Sequence, residues 1–109
     1  MYLLIKTSQE KVNEQGSLFE AARGHWYVNP KRASQCSHAI VTLRGHKDVK
    51  AVYKIDNWEH SFYRRHHFNG STDNTLENKL VGKELNNNLF TKGRKNPISY
   101  VQEKELLEV

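Results

Sequence analysis

The amino-acid sequence predicts an α+β domain in which a small, strongly curved antiparallel sheet, or a near-closed β-barrel, is flanked by short helices. Two alternating apolar runs, "SHAIVTLRG" and "DVKAVYKIDNW", are joined by the polar segment "GHKD", as in a long hairpin. Further short strand-like runs lie near both ends of the chain, and helical patterns with capping residues separate them. At 109 residues the chain is expected to be a single domain, residues 1–109.

The first third of the sequence predicts one strand and two short helices. "YLLIKT" has the composition of a strand, and "SQEKVNEQG" after it is interpreted as a polar loop. Ser17 and Glu20 form an S-x-x-E capping box at the start of the helix "SLFEAARG", which ends at Gly24. "NPKRASQ" predicts a helical turn with Asn29 as its cap and Pro30 at its first position.

The middle of the sequence predicts the long hairpin. Residues Ser37–Leu43 and Val49–Ile55 alternate between apolar and polar positions, so we expect them to pair antiparallel with one face buried. The other face is expected to carry Arg44, Lys50 and Lys54.

The last third predicts two more strands and a helix. "SFYRRHHF" is interpreted as a third strand that closes at an Asn69–Gly70 turn. "TDNTLENKLVG" predicts a short helix with Leu76 and Leu80 facing inward. "NPISYV" predicts a last strand, with Pro97 near its start, where a missing N–H is tolerated.

The charge distribution indicates a polyanionic partner. The net charge is +5 and the sequence pI is about 9.4. Between Arg23 and Arg65 nine lysines and arginines face only three acidic residues, and all six histidines lie between His25 and His67. A basic segment of this kind is the electrostatic footprint of a protein that binds nucleic acid.

The single cysteine and the lack of a long apolar run narrow the class of protein further. Cys36 alone excludes an internal disulfide and a multi-cysteine zinc site. No run is long enough for a signal peptide or a membrane span, so we expect a cytoplasmic protein with no membrane partner.

Aromatic residues are threaded through the basic segment. Basic side chains attract phosphates, and aromatic faces stack on unpaired or extruded bases. Trp26 and Trp58 adjoin predicted turns and are the candidates for stacking, although a core position for either ring is an open alternative. The predicted nucleic-acid-binding residues are Arg23, Trp26, Lys31, Arg32, Arg44, Lys50, Lys54, Trp58, Arg64 and Arg65.

Enzyme signatures are few. The sequence has no glycine-rich phosphate loop, no G-x-S-x-G elbow and no H-E-x-x-H motif. The histidines nevertheless allow one enzymatic alternative, a small metal-free ribonuclease with two histidines as general base and acid and an arginine or lysine for the phosphorane charge. Its candidates are His25, His60, His66 and His67, with Arg64 or Lys54. We expect no metal and no cofactor.

Two long segments carry a resemblance to known proteins. The stretches "EAARGHWYVNPKRASQCSHAIVTLRGHKDVKAVYKIDNW" and "LVGKELNNNLFTKGRKNPISYV" resemble a small domain found alone or behind GIY-YIG nuclease domains in bacterial and phage proteins. The resemblance covers most of Leu18–Val101. More loosely, the hairpin resembles those of PUA-like barrels, the group of the ASCH and EVE domains, which bind RNA or modified bases. The residues that match are Arg23, Gly24, Trp26, Tyr53 and Trp58.

The resemblance implies a PUA-like fold and an accessory recognition domain. Together with charge and aromatic content, it predicts a non-enzymatic protein that binds RNA or DNA, with recognition of a modified or flipped base as a finer prediction. The alternatives are the metal-free ribonuclease and a phage-type protein that inhibits a host defence enzyme through a protein–protein contact.

Overall fold

The computed structural model describes residues 1–90 and 97–106 of the chain. In this part of the chain no helix is long and apolar enough to cross a bilayer. The strands are β1 (Tyr2–Thr7), β2 (Trp26–Tyr27), β3 (His38–Leu43), β4 (Ala51–Phe62), β5 (Arg65–Thr72) and β6 (Ile98–Val101). The helices are α1 (Gln9–Gln15), α2 (Leu18–Arg23), α3 (Pro30–Ala33), α4 (Asn74–Leu80), a 3₁₀ turn at Asn87–Phe90 and α5 (Glu103–Leu106).

The six strands form one sheet in the order β2-β5-β4-β3-β1-β6, which is nearly closed into a barrel with one unsealed seam. The expected fold class is therefore confirmed. The sheet is mixed rather than purely antiparallel, because β1 pairs in parallel with β3. A parallel pair needs a long crossover connection, and the segment between β1 and β3 supplies one with its three short helices.

Two hydrophobic cores lie on opposite faces of the sheet. The first includes Ala22 of α2, so this helix covers the same face as Trp26 and Phe68. The second includes Leu80 of α4 and Leu106 of α5, which cover the other face. The central strand β3 contributes to both cores, and its four middle residues are all buried. The prediction of a single buried hairpin face is wrong, because the C-terminal helices cover the second face.

The capping signals predicted two helices correctly. The Ser17 hydroxyl accepts a hydrogen bond from the backbone N–H of Glu20 at the start of α2. The Asn29 side chain accepts from the backbone N–H groups of two residues at the start of α3, whose first residue is Pro30. β1, the β3–β4 pairing, α4 and β6 are also confirmed, apart from residue 96 of the predicted last strand, which lies outside the described residues.

The predicted loop between β1 and α2 is wrong, because α1 forms there. Its start is capped by Ser8, whose hydroxyl accepts from the N–H of Lys11, and its end by Gly16 in the left-handed region (φ 92°). No residue of α1 is buried. The helix therefore lacks the apolar periodicity that would indicate it in the sequence.

The predicted third strand and its turn are also wrong in position. Ser61 and Phe62 belong to β4, the chain reverses at Tyr63 and Arg64, and β5 begins at Arg65. Gly70, predicted in a turn, lies inside β5, where a Cβ would stand 1.9 Å from the carbonyl oxygen of Lys54. Glycine is required there for this close approach of the two strands, beside an irregularity in their pairing.

Candidate nucleic-acid interface

The tip of the β4–β5 hairpin carries exposed aromatic rings beside arginines. Tyr63 is 89% exposed, Tyr27 60% and Phe62 51%. Tyr27 reaches the tip because β2 pairs with the start of β5, opposite Arg65. The Arg65 guanidinium lies 4.0 Å from the centre of the Tyr27 ring. We define the hairpin-tip surface as Tyr27, Phe62, Tyr63, Arg64 and Arg65.

A cluster of two histidines and a serine adjoins this surface. The Ser61 hydroxyl lies 2.6 Å from Nδ1 of His25 and 2.7 Å from Nδ1 of His67. Ser61 is the additional residue where the β4–β5 pairing shifts between His60 and Phe62. An irregularity of this kind redirects side chains, and here it accompanies a hydroxyl placed between two imidazoles. The Phe62 ring packs against His25, with ring centres 5.3 Å apart.

An acidic side chain stands on the far side of His67. The Glu59 carboxylate is 3.5 Å from Nε2 of His67 and also accepts a hydrogen bond from the Asn69 side chain. Asn69 in turn accepts from Arg23, whose Nε donates to the carbonyl of Phe68. Together with the contacts of Ser61, these contacts form one continuous polar network along the hairpin. We call it the histidine–serine network, and its members are Arg23, His25, Glu59, Ser61, His67 and Asn69.

Gly24 allows this network to assemble. It follows α2 with an extended backbone, and its peptide bond to His25 is cis. A Cβ at Gly24 would lie 2.6 Å from the Cβ of His67. Glycine is thus needed for the close approach of the α2–β2 connection to β5. A pocket of about 170 Å³ lies beside this contact, lined by Gln15, Glu20, Arg23, Gly24, His25 and His67.

Positive charge surrounds His25. Burial lowers the pKa of His25 below its ordinary value, and the nearby charges of His67, Lys11, Arg23 and Arg65 lower it further. Its imidazole therefore favours the neutral form at neutral pH. The Arg65 guanidinium donates to the backbone carbonyl of His25 at 2.9 Å.

Lys11 is a member of this site that the sequence interpretation missed, because its segment was predicted as a loop. Its ammonium donates to the Gly24 carbonyl at 2.8 Å and lies 3.8 Å from the centre of the Trp26 ring. Burial, followed by the charge of Arg65, lowers the pKa of Lys11. The caps at Ser8 and Gly16 are the sequence signals that indicate its helix.

The two tryptophans predicted to stack on bases pack in the first core. Trp26 is 6% exposed, and its indole N–H donates to the Ala22 carbonyl at 2.7 Å. Trp58 is half-buried against Phe68, with ring centres 5.5 Å apart. The structure therefore favours the core alternative for both rings, while Tyr27, which follows Trp26, is exposed at the tip.

The predicted basic residues are not brought to one place. Arg64 and Arg65 lie at the hairpin tip, but Arg44 and Lys50 lie at the opposite end of the sheet, where Lys50 pairs with Asp48 at 2.8 Å. Lys54 is exposed on β4, eight residues before Phe62, a span of about 26 Å in an extended strand.

The two basic residues of α3 differ in role from those at the tip. Lys31 is exposed, whereas the Arg32 guanidinium lies 4.5 Å from the centre of the Tyr100 ring of β6. Because β2 and β6 are the two edge strands, this contact ties the segment after β2 to β6 across the seam.

The four candidate histidines form two separate pairs. His25 and His67 share Ser61, whereas the rings of His60 and His66 contact each other, with centres 5.3 Å apart. Nε2 of His60 bonds the Tyr63 carbonyl, and Nδ1 of His66 is buried without a hydrogen-bond partner among the described residues. Within residues 1–90 and 97–106, no group of three or more histidine, cysteine or acidic side chains is arranged to hold a metal ion.

Comparison with protein-family models, curated proteins and solved structures found no match to this chain. The resemblance to the domain that accompanies GIY-YIG nucleases, and to PUA-like barrels, stays a prediction. So does the inhibitor alternative. The geometry of the hairpin tip carries the functional argument.

Proposed function

We propose that this protein binds single-stranded or unpaired nucleic acid through the hairpin-tip surface. One observation carries the proposal. Of the four large hydrophobic side chains exposed in the described part of the chain, three are aromatic and lie together at this tip; the fourth is Val81. The same tip carries Arg64 and Arg65.

The chemistry of these side chains suits an unpaired strand. Every base has a flat face, so an exposed ring can stack on it whatever the sequence, at a gain of about 1–3 kcal/mol per base. Arginine supplies charge for phosphate and a planar group for stacking. Arg65 is already held over Tyr27 and bonded to the His25 carbonyl, so little conformational entropy is lost when it meets a ligand.

An unpaired strand fits this tip better than a duplex does. Direct readout of a duplex uses contacts to base edges within a groove, where the base faces are stacked and closed to a ring. Here the rings of Tyr63 and Tyr27 project into solvent from a turn and from a two-residue edge strand. Rings presented in this way can stack on bases that are splayed out, as in single strands and loops.

The test is a fluorescence-anisotropy titration of labelled single-stranded RNA and DNA oligomers at several salt concentrations. Arg64→Ala is expected to weaken binding and to reduce the salt slope by about 1, because one phosphate contact is lost. Tyr63→Ala is expected to remove about 1–3 kcal/mol of binding free energy.

Two matched variants serve as controls. Arg44→Ala removes the same charge from an exposed site at the other end of the sheet, and Val81→Ala truncates the exposed apolar side chain that lies outside the tip. Both are expected to bind as the wild type does. Equal losses for Arg44→Ala and Arg64→Ala would assign binding to diffuse charge rather than to the tip. An absence of binding at low salt would refute the proposal.

A further inference from the structure

The histidine–serine network holds two imidazoles with their Nδ1 atoms on one oxygen. A serine oxygen has two lone pairs and accepts two hydrogen bonds, so both Nδ1–H groups can donate to Ser61 at 2.6 and 2.7 Å. In that state Nε2 of His25 is left for a ligand, whereas Nε2 of His67 faces Glu59 at 3.5 Å and must exchange this carboxylate for the ligand. A neutral His25 then presents an unprotonated Nε2, and a protonated His67 presents an Nε2–H.

The two rings differ in the charged groups that surround them. His25 is surrounded by cations, namely Lys11, Arg23 and Arg65. His67 has the Glu59 carboxylate 3.5 Å from its Nε2, held in place by Asn69. The cations favour the neutral form of His25, which can accept a proton. The Glu59 carboxylate is placed to accept a hydrogen bond from an Nε2–H of His67. This arrangement suits His25 as the base and His67 as the acid.

The geometry points to an RNA-cleaving site in which His25 is the general base and His67 the general acid, with Ser61 as the positioning residue for both. This inference rests on the proposed function, because a strand on the hairpin tip would lie next to His25, which contacts both Phe62 and Arg65. The substrate class is a single-stranded RNA, since the reaction needs the ribose 2′-hydroxyl.

The RNA strand and the two imidazoles account for every bond and proton in the proposed cleavage step. Nε2 of His25 takes the proton of a 2′-hydroxyl, and the oxygen forms a bond to the adjacent phosphorus. The bond from phosphorus to the 5′-oxygen breaks, its electron pair stays on that oxygen, and His67 donates its Nε2 proton there. The products are a 2′,3′-cyclic phosphate and a free 5′-hydroxyl. Exchange with water then removes the proton that His25 gained and replaces the one that His67 lost.

The pocket beside the two rings has the charge for the phosphate. Arg23 and Glu20 line it together with both histidines, and Lys11 and Arg65 donate to the carbonyls of Gly24 and His25 beside it. The carboxylates near the site are Glu20, which pairs with Arg23, and Glu59. Cations at this position stabilise the charge that develops on the phosphorane.

The experiment uses a labelled DNA oligomer with one ribonucleotide, an all-DNA oligomer of the same sequence, and buffer containing EDTA. The wild type is expected to cut only the first oligomer, at the ribonucleotide, and mass spectrometry is expected to show the cyclic phosphate. His25→Asn and His67→Asn are each expected to lose about 10²-fold or more of the rate. His46→Asn, an exposed histidine outside the site, is the matched control and is expected to keep it.

Two further variants test the assignment of roles. Ser61→Ala is expected to lower the rate and to alter the pH–rate profile, because both rings lose the oxygen that orients them. A merely structural serine would leave that profile unchanged, and such a result would overturn its positioning role. A loss of cleavage in His60→Asn with full activity in His25→Asn would assign the chemistry to the other histidine pair and overturn the inference.

Binding of the all-DNA oligomer, followed by anisotropy, separates this inference from the proposed function. If the wild type binds this oligomer and leaves the ribonucleotide strand intact after long incubation, the cleavage inference is overturned and the proposed function stands. If cleavage persists unchanged in His25→Asn, the activity does not belong to this site and the inference is likewise overturned. Cleavage without measurable binding would support the inference and contradict the proposed function as a stable interaction.

Discussion

The two halves of β4 differ in what holds them. At its start, Ala51, Val52 and Tyr53 are all buried and pair with β3, and Tyr53 also pairs with β5. From Lys54 to Phe62 no residue is buried, and side-chain hydrogen bonds and ring contacts link this half to β5 and to the α2–β2 connection. Apolar burial fixes the first half, whereas the second half reaches the core through the partly buried Ile55 and Trp58 and mostly carries polar groups that can also bind a ligand.

The adjacent residues Trp26 and Tyr27 test this contrast most strongly. Trp26→Ala removes a buried ring from the first core, so we expect it to lower the free energy of unfolding by about 3–5 kcal/mol. Tyr27→Ala removes an exposed ring that contacts Arg65, and less than about 1 kcal/mol is expected from it. Urea unfolding measures both.

For oligonucleotide binding, we expect the opposite order of effects from these two variants. Tyr27→Ala is expected to weaken oligonucleotide binding, and the folded fraction of Trp26→Ala is expected to bind as the wild type does. If Trp26→Ala kept its stability and lost its affinity for the oligonucleotide, this result would show that the Trp26 ring belongs to the binding site.

Gly24→Ala tests the contact between the core-bound α2 and the polar tip. The added methyl would meet the Cβ of His67 at 2.6 Å, so the two backbones must separate. We expect a loss of about 1–3 kcal/mol in the free energy of unfolding, as for other overpacked sites. In a His67→Gly background the clash is largely removed, so a double-mutant cycle is expected to show a smaller cost there. An equal cost in both backgrounds would contradict this contact.

The smallest expected effect is a difference in the pH at which the two regions lose stability. The pKa of His25 at the tip is lowered, so the unfolded chain takes up this proton first, and stability falls as pH drops from about 6.5 through the folded-state value. At the other end, Asp73 caps α4 and bonds His38. Its pKa is lowered by the Leu76 N–H and by His38, so its contribution falls only below about pH 3.9.

Urea unfolding of wild type and His25→Asn at pH 7, 5 and 3 measures this separation. The variant is expected to lose less stability than the wild type between pH 7 and pH 5, and to follow it between pH 5 and pH 3. Parallel curves over the whole range would show that His25 titrates alike in the folded and unfolded chains.

Much of the fold could be predicted because its signals are local. Alternation identified the β3–β4 pairing, and the caps at Ser17 and Asn29 identified two helices. Helix α1 was missed because it buries nothing. The Asn69–Gly70 pair has the composition of a hairpin turn, yet Gly70 is selected by its approach to the Lys54 carbonyl, which depends on the register of two strands.

The site could be predicted only as a set of residue types. The sequence indicated aromatic and basic residues and four histidines, but their grouping depends on the turn at Tyr63 and on the shift in pairing at Ser61. A one-residue change in that register would place His67 on the other face of the hairpin. Ser61 and Lys11 were missed because their roles depend on partners in other parts of the fold, His25 for Ser61 and the Gly24 carbonyl for Lys11.

The length of β4 relative to β3 also affects how the protein meets other copies of itself. Beyond Ile55, whose amide bonds the Ser37 carbonyl, β4 has no strand on its β3 side in residues 1–90 and 97–106. Such an open edge is a template on which another chain can add a strand and begin to aggregate. Asp56 places an exposed negative charge just beyond Ile55 in this half of β4, and a charge there repels a second copy of the same segment. The Asp56 carboxylate therefore disfavours strand addition at the hairpin that presents the tip.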